Sequence, residues 1–454
     1  MYKIILPGRY FLKRRITWLA VAAVALCVFI VVVVMTVMNG LVDEFKGKNH
    51  EFTGDCVVST DSLVGFAYYE DFAVELEGSD FVEAASAAVK GYGLLTMEKY
   101  DWTIGVEVMG LEPARHSKVT NFGRTLHYRR EAIDKAFVPV YDENLAGCVV
   151  GIDLPYPVVS VTRDRSGVYI HDSRPGKREY TISCFPLNAK GGLARAGVDI
   201  VNTKNYYFSD DSHSGLVRSD GRVVYLPLAE AQVLLGMGGS DARASAVYIK
   251  FSEGVDLREG CAKVRRLWDT FKEGRGGRMY AGLLDNVRVQ SWIEYRRSSI
   301  AAMEKEQIML TVLFLMLGVI TVFIIFVVFY MIVSHKSKDI GILKSVGVSN
   351  ISVIEIFLRF AAFVGLVGAG IGVGGGCVFL IKINALEDWL FEKFNWQLWD
   401  RSVYAIGEIP NRIELGVLGI IVLCAVCSCL AGAFLPSIQA ARRRPAEILQ
   451  VDQL

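Results

Sequence analysis

Four stretches of the chain, 16–42, 308–334, 360–381 and 415–441, contain no Asp, Glu, Lys, Arg or His and are apolar almost throughout. Each reaches the ~20 residues a helix needs to cross a hydrocarbon core, and each predicts a membrane-spanning helix. The first carries a dense β-branched run over 28–34. In lipid the backbone must satisfy its own polar groups, so helix is expected there despite the weak helix propensity of valine. Between the second and third stretches, 334–350 reads SHKSKDIGILKSVGVSN. Its Ile340, Leu343, Val346 and Gly347 recur on one side of a helix, and Lys336, Lys338, Asp339 and Lys344 keep the rest polar. Such a helix is too polar to cross a bilayer and needs a surface to lie against, either lipid headgroups or a groove on another protein.

Residues 43–307 lack long apolar runs and alternate strand-like and helix-like segments. Strands are expected at 56–59, 105–109, 148–152, 180–185, 197–201, 223–226 and 246–251. Helices are expected at 228–236 and 257–272, the latter placing Leu257, Cys261, Val264, Trp268 and Phe271 on one face. Gly-, Ser- and Asp-rich stretches at 210–221, 236–241 and 274–277 read as turns or flexible hairpins. The fold class is therefore a membrane protein with four transmembrane α-helices and a large α+β domain between the first two. The divisions are 1–42, 43–307 and 308–454. From Ser291 onward one unbroken helix is expected to leave the second span as a stalk. The seven glycines of the third span, Gly365, Gly368, Gly370, Gly372, Gly374, Gly375 and Gly376, predict close helix packing. The tryptophans and phenylalanines of 382–414 suit a membrane interface. Pro436 is expected to kink or end the fourth helix.

Composition sharpens this picture in two respects. The chain is 52% hydrophobic with mean hydropathy +0.35, and its 49 Lys+Arg against 48 Asp+Glu leave a formal charge of +1, without the basic surplus of a nucleic-acid binder. Basic residues concentrate before the first span (Lys3, Arg9, Lys13, Arg14, Arg15), in the 334–359 connection and after the fourth span (Arg442, Arg443, Arg444). Residues 382–414 are instead acid-rich. Under the positive-inside rule both termini and the 334–359 connection are cytoplasmic and the large domain lies outside. The first apolar run is far longer than the h-region of a cleaved leader and no small-residue cleavage site follows it, which fits an uncleaved signal-anchor helix.

Catalytic patterns are missing. No G-x-x-x-x-G-K-[ST] loop, H-E-x-x-H pair or G-x-S-x-G elbow occurs. The C-x-x-C of Cys424 and Cys427 lies inside a span, where cysteine acts as a small apolar residue. Cys56, Cys148, Cys184 and Cys261 fall in the large domain, where one or two disulfides are open to them and several pairings are possible. The spans hold no ionisable residue of the kind an ion-coupled transporter uses. What remains is a membrane protein with no energy source and a cytosolic amphipathic hook.

The KSKDIGILKSVG core of that hook resembles the coupling helix of FtsX/MacB/LolC-type permeases of ABC transporters, as do the PSIQAA and RPAEIL elements of the C-terminus. The span order matches that family along the chain. RYFLKRR, VMNG (37–40), VMGLEP (108–113) and LWDRSVYAIGEIP (398–410) are similar to the lipoprotein-releasing LolC/LolE branch. The resemblance implies a MacB-like periplasmic core domain and a non-catalytic subunit of the inner membrane. It also implies a separate cytosolic ATPase that carries ATP and Mg, and a second permease, identical or different. Lipoprotein would be the cargo, extracted from the outer leaflet and passed to a periplasmic carrier. Lys338, Asp339, Ile340, Gly341, Ile342, Leu343, Lys344, Val346 and Gly347 would couple to the ATPase, with Lys338, Asp339 and Lys344 at the rim. Acyl chains would enter between the outer ends of the first two spans, beside Met35, Met38, Leu41, Phe45, Met303 and Ile308, a set that packing or lipid contact explains equally well. The same family also accommodates a MacB-like mechanotransmission exporter and an FtsX-like regulator of cell-wall hydrolases. From the residues alone, a membrane-anchored receptor or scaffold is the alternative of another class.

Overall fold

The computed structural model describes residues 15–155, 157–159, 161–163, 169–193, 201–239, 242–335, 342, 344–394 and 409–442. The chain forms two compact units, one of long helices and one spanning Glu44–Ala301. Among the described residues, four helices are long and apolar enough to cross a membrane. Helix α1 (Arg15–Glu51) leads into β1 (Cys56–Thr60), the two-residue strand β2 (Phe66–Ala67) and α2 (Tyr69–Glu77). Strands β3 (Val82–Met97) and β4 (Trp102–Leu111) follow, then α3 (Pro113–Val119) and α4 (Phe122–Thr125). Next come β5 (Gly147–Gly151), the paired dipeptides β6 (Thr162–Arg163) and β7 (Tyr169–Ile170), β8 (Glu179–Cys184) and β9 (Asn202–Ser212). The unit closes with α5 (Val217–Asp220), β10 (Val223–Pro227), α6 (Leu228–Leu234), β11 (Arg243–Ala244), β12 (Ala246–Phe251), α7 (Leu257–Glu273) and β13 (Val287–Ser291).

Nine strands form one sheet in the order β13-β1-β12-β3-β4-β10-β5-β9-β8. Because β3 is sixteen residues long, Val82–Met97, it serves two neighbours along one edge. Its first half pairs with β12, and Gly93 to Thr96 pair with β8. That second pairing closes β3-β4-β10-β5-β9-β8 into a six-stranded ring, and β12, β1 and β13 extend from it. The ring and its covering helices share one core that includes Leu95, Val108, Cys148, Val150, Tyr180, Ile182, Cys184 and Tyr206. The buried Tyr180 hydroxyl is satisfied by the Val158 carbonyl at 2.7 Å. Over the extension, α2 and α7 set Phe72 between Trp268 and Phe271, with ring centroids 4.8 and 4.9 Å away. Asp256 caps α7 by accepting from the Arg258 and Glu259 amides.

Most expected strands are found within a few residues. The exception at 197–201 is partly outside the described residues, and the strand itself begins at Asn202. Three expectations are corrected in whole or in part. Residues 210–221 are no flexible hairpin: Asp210 to Ser212 belong to β9 and are buried, and Val217–Asp220 is helical. The stalk is not one helix either. It breaks at Arg296 (φ −93°, ψ 9°) between α8 (Trp292–Tyr295) and α9 (Arg297–His335). The break has a physical cause: the Arg296 guanidinium donates to Thr53 Oγ1 at 3.0 Å, and a Ser291/Glu294 capping box starts a separate short helix. Pro436 does not end the fourth helix; it sits buried inside α11 (Leu415–Arg442).

The helical unit is built on backbone contact. In α10 (Asn350–Phe394) the glycines at 368, 372 and 376 stand four residues apart on one face. A Cβ at Gly372 would lie 2.6 Å from the Ala25 carbonyl oxygen and 2.8 Å from Val28 Cβ. At Gly368 and Gly376 it would meet Val24 and Val32 at 2.8 and 2.9 Å. The β-branched stripe of α1 thus fits the glycine face of α10. Gly365 does the same for Cys429 of α11, and Gly432 for Val322 of α9. Gly370 and Gly374 meet no atom within 4 Å. Gly372→Ala is expected to destabilise the bundle by about 1–3 kcal/mol, since the neighbour is backbone and cannot rotate away. Gly370→Ala is expected to leave thermal unfolding in detergent unchanged; equal midpoints for the two variants would contradict this packing.

Candidate functional site

The connection between α9 and α10 is the segment the sequence singles out. Lys338, Asp339, Ile340, Gly341 and Leu343 lie outside the described residues; Ile342, Lys344, Val346 and Gly347 are described. Val346 N–H donates to the Ile342 carbonyl at 3.2 Å, and Gly347 N–H to the Lys344 carbonyl at 3.0 Å, a helical turn. Gly347 ends it at φ 94°, a left-handed conformation that favours glycine. Ser349 then caps α10, accepting from the Ser352 amide at 3.3 Å.

Two features decide what this turn can do. Ile342 and Val346 are 55% and 80% exposed, and Ile351, at the start of α10, is 77% exposed. Glu355 and Arg359 pair across the next turns of α10. Ile351 therefore precedes the charge-free part of the helix. Three branched aliphatic side chains thus stand exposed within ten residues. Lys344 meanwhile does not stand free at a rim. Its Nζ donates to the Ala441 carbonyl at 2.8 Å, one of the last carbonyls of α11. A cation at a helix C-terminus is favourable, and here it ties the turn to the end of the fourth long helix. Ile351 falls between the amphipathic stretch 334–350 and the charge-free stretch 360–381, so neither pattern singles it out.

A groove of ≈ 510 Å³ runs between α1, α9 and α11, within the about 300–1,000 Å³ usual for ligand pockets. Val24, Cys27, Val28 and Val31 line it from α1, Thr311, Phe314, Leu315 and Gly318 from α9, and Ile420, Ile421 and Cys424 from α11. Thr311 and Thr321 hydroxyls are turned onto the Gln307 and Leu317 carbonyls of their own helix at 2.9 Å. What they offer the groove is methyl surface. None of the six residues expected to meet acyl chains lines it. Leu41 is buried, Met35, Met38, Phe45 and Met303 are half-buried, and Ile308 is exposed. At the level of Met38 and Ile308, α1 and α9 are joined by a hydrogen bond from Gln307 Nε2 to Asn39 Oδ1 at 2.7 Å.

Within the Glu44–Ala301 unit, the end of α1 and the short helix α8 converge on Asp55. One carboxylate oxygen meets His50 Nε2 at 2.8 Å, and the other accepts from the Phe251 amide at 2.7 Å. The Asp55 carbonyl accepts from Trp292 N–H at 3.0 Å, and the His50 ring stacks on Trp292. Tyr295 takes the Lys90 ammonium at 2.7 Å and touches the Tyr248 hydroxyl at 3.3 Å. Burial alone would raise the Asp55 carboxyl, but His50 and the Phe251 amide hold it below the ordinary carboxylate range.

Residues 311–445 match the family model described as FtsX-like permease C-terminal. The chain carries an FtsX-like permease domain. Its turn at 342–351 and all of α11 fall inside that domain. Over 445 residues, covering 96% of this chain and 94% of the relative, it is 22% identical to the lipoprotein-releasing system transmembrane protein LolC of Neisseria meningitidis serogroup B. A 122-residue part is 30% identical to LolC of Xylella fastidiosa, covering 30% of that protein. A 123-residue part is 27% identical to the transmembrane protein LolE of Haemophilus influenzae, covering 29% of that protein. Among solved structures, the periplasmic region of MacB from Actinobacillus actinomycetemcomitans is similar at 9% identity and a TM-score of 0.30, covering 57% of this chain and 96% of that one.

The Asp55 carboxylate ties the end of α1 to β12, and removing it leaves His50 and the Phe251 amide without that partner, while Trp292 N–H keeps the backbone carbonyl. Asp55→Ala is expected to cost about 2–3 kcal/mol at pH 7. A carboxyl held below its unfolded value contributes fully at neutral pH and loses that contribution as pH falls below about 4. The gap between the wild-type and Asp55→Ala unfolding midpoints should therefore narrow in acid; a constant difference down to pH 3 would contradict the anchor.

Proposed function

We propose that this chain is the membrane-spanning, non-catalytic subunit of an ABC transporter of the inner membrane, working with a separate cytosolic ATPase that binds ATP and Mg and with a second permease. Its task is to extract lipoproteins from the outer leaflet and hand them to a periplasmic carrier. The observation that carries this reading is the exposed Ile342, Val346 and Ile351 set on the turn between two long helices of an FtsX-like domain. Likeness to LolC across nearly the whole chain supports the choice of cargo.

In this reading the turn docks in a groove of the ATPase, alongside Lys338, Asp339, Ile340, Gly341 and Leu343. Each aliphatic side chain buried there contributes about 1.5–3 kcal/mol. Lys344 is held by Ala441, so displacement of the turn pulls on α11 as well as on α9 and α10. Opening and closing of the α1/α9/α11 groove follows, and the groove receives acyl chains. Both termini lie in the cytoplasm and the Glu44–Ala301 unit on the other side, as the distribution of basic residues supports.

Two variants test the two halves of this reading. Val346→Asp places an unpaired charge in an apolar interface and is expected to lower co-purification of a phosphate-loop ATPase about tenfold or more while the protein still reaches the membrane. Undiminished recovery of the ATPase would overturn the docking. Gly318→Phe adds bulk at the groove wall, where a Cβ meets nothing within 4 Å. It is expected to keep the ATPase bound and to reduce release of a radiolabelled lipoprotein from spheroplasts several-fold. Normal release would remove the groove from the cargo path.

A further inference from the structure

Cys56 opens β1 and is fully buried; Cys261 lies on the inward face of α7, 8% exposed. Both thiols are free, and each lies near enough to act on the other. Both belong to the same core, in which α7 covers β1. Arg265, one turn beyond Cys261, donates to the Val289 carbonyl of β13 at 3.0 Å and fixes the helix over the β1/β13 pair. Two cysteines 205 positions apart, 56 and 261, thus meet between one strand and one helix already held in register. The other two cysteines of the unit differ. Burial pushes both the Cys148 and Cys184 thiols up, Cys184 to about 12, and no cysteine acts on either.

We propose that Cys56 and Cys261 are a disulfide site, closed when the domain folds in an oxidising extracytoplasmic compartment. The proposal rests on the topology given above, since the same pair facing the cytosol would stay reduced. The reacting partner is the disulfide of a dithiol–disulfide oxidoreductase. The Cys261 thiolate attacks one sulfur of that disulfide, forming a mixed disulfide and expelling one partner thiolate. Cys56, losing its proton, then attacks the Cys261 sulfur, closes the Cys56–Cys261 bond and expels the second partner thiolate. Two protein thiols give up two electrons, the partner disulfide becomes a dithiol, and the two protons pass to it. Cys261 is suited to the first attack: it is the more exposed of the two, 8% against 0%, and the Arg265 guanidinium one turn on favours its thiolate. The bond would lock α7 onto β1, the strand that follows α1 and pairs with β13 ahead of α8.

The test uses the full chain, extracted from membranes without reductant. Free thiols are alkylated under denaturing conditions before digestion and mass spectrometry. A linked peptide pair containing residues 56 and 261 is expected, lost on reduction and absent from Cys261→Ser, with Cys148 and Cys184 alkylated. Reductant is expected to lower the unfolding midpoint of the unmodified protein by several degrees. Alkylation of both Cys56 and Cys261 without prior reduction overturns the proposal. A reporter assigns the cause: Asp61→Cys, at a side chain 85% exposed, is treated with a membrane-impermeant maleimide in spheroplasts. If it is labelled while Cys56 and Cys261 remain thiols, the disulfide alone is wrong; if it is not labelled, the topology is wrong and the disulfide falls with it.

Discussion

The helical unit depends on one contact, the approach of the α10 backbone to the α1 backbone through Gly368, Gly372 and Gly376. In hydrocarbon there is no hydrophobic drive to bring helices together, so association relies on close packing and on what few polar links the helices carry. The valines of α1 supply rigid, branched shapes, and the glycines supply the hollow. Asn39 and Gln307 supply one polar link between α1 and α9. Helices held this closely on one side are free to leave a gap on another, and the α1/α9/α11 groove is such a gap.

The Glu44–Ala301 unit follows a different rule. A water-exposed sheet must manage its edges, and here β3 does so by length. Alanines at 84, 85, 87 and 88 let its first half lie under helices, and Gly91 and Gly93 let its second half accept close neighbours. Those same residues hid it from the sequence. Alanine and glycine are poor strand formers, so the longest strand of the unit gave no periodic signal, whereas Ala246–Phe251 and Val223–Pro227, rich in Val, Ile and Tyr, stood out.

The spans were legible because absence of charge over twenty or more residues has one physical outcome in a bilayer. The face of α7 was legible because Cys261, Val264, Trp268 and Phe271 repeat with helical spacing and are all buried. Local pattern could not reveal features decided by tertiary contact. The break at Arg296 depends on Thr53, more than two hundred residues away. The role of Lys344 depends on Ala441, and the meeting of Cys56 with Cys261 on the packing of α7. The α1/α9/α11 groove was not legible either, because it depends on how three helices far apart in sequence pack.

Ring closure has a consequence for how copies of this protein can meet. Six of the nine strands have both edges occupied, and β12 and β1 lie between neighbours, so β13 is the outer strand among the described members of the sheet. It is five residues long, and Arg288 extends from it beside Asp61. Short length and outward charge both oppose the annealing of a foreign strand. Joining a second copy by extension of the nine-stranded sheet is therefore disfavoured.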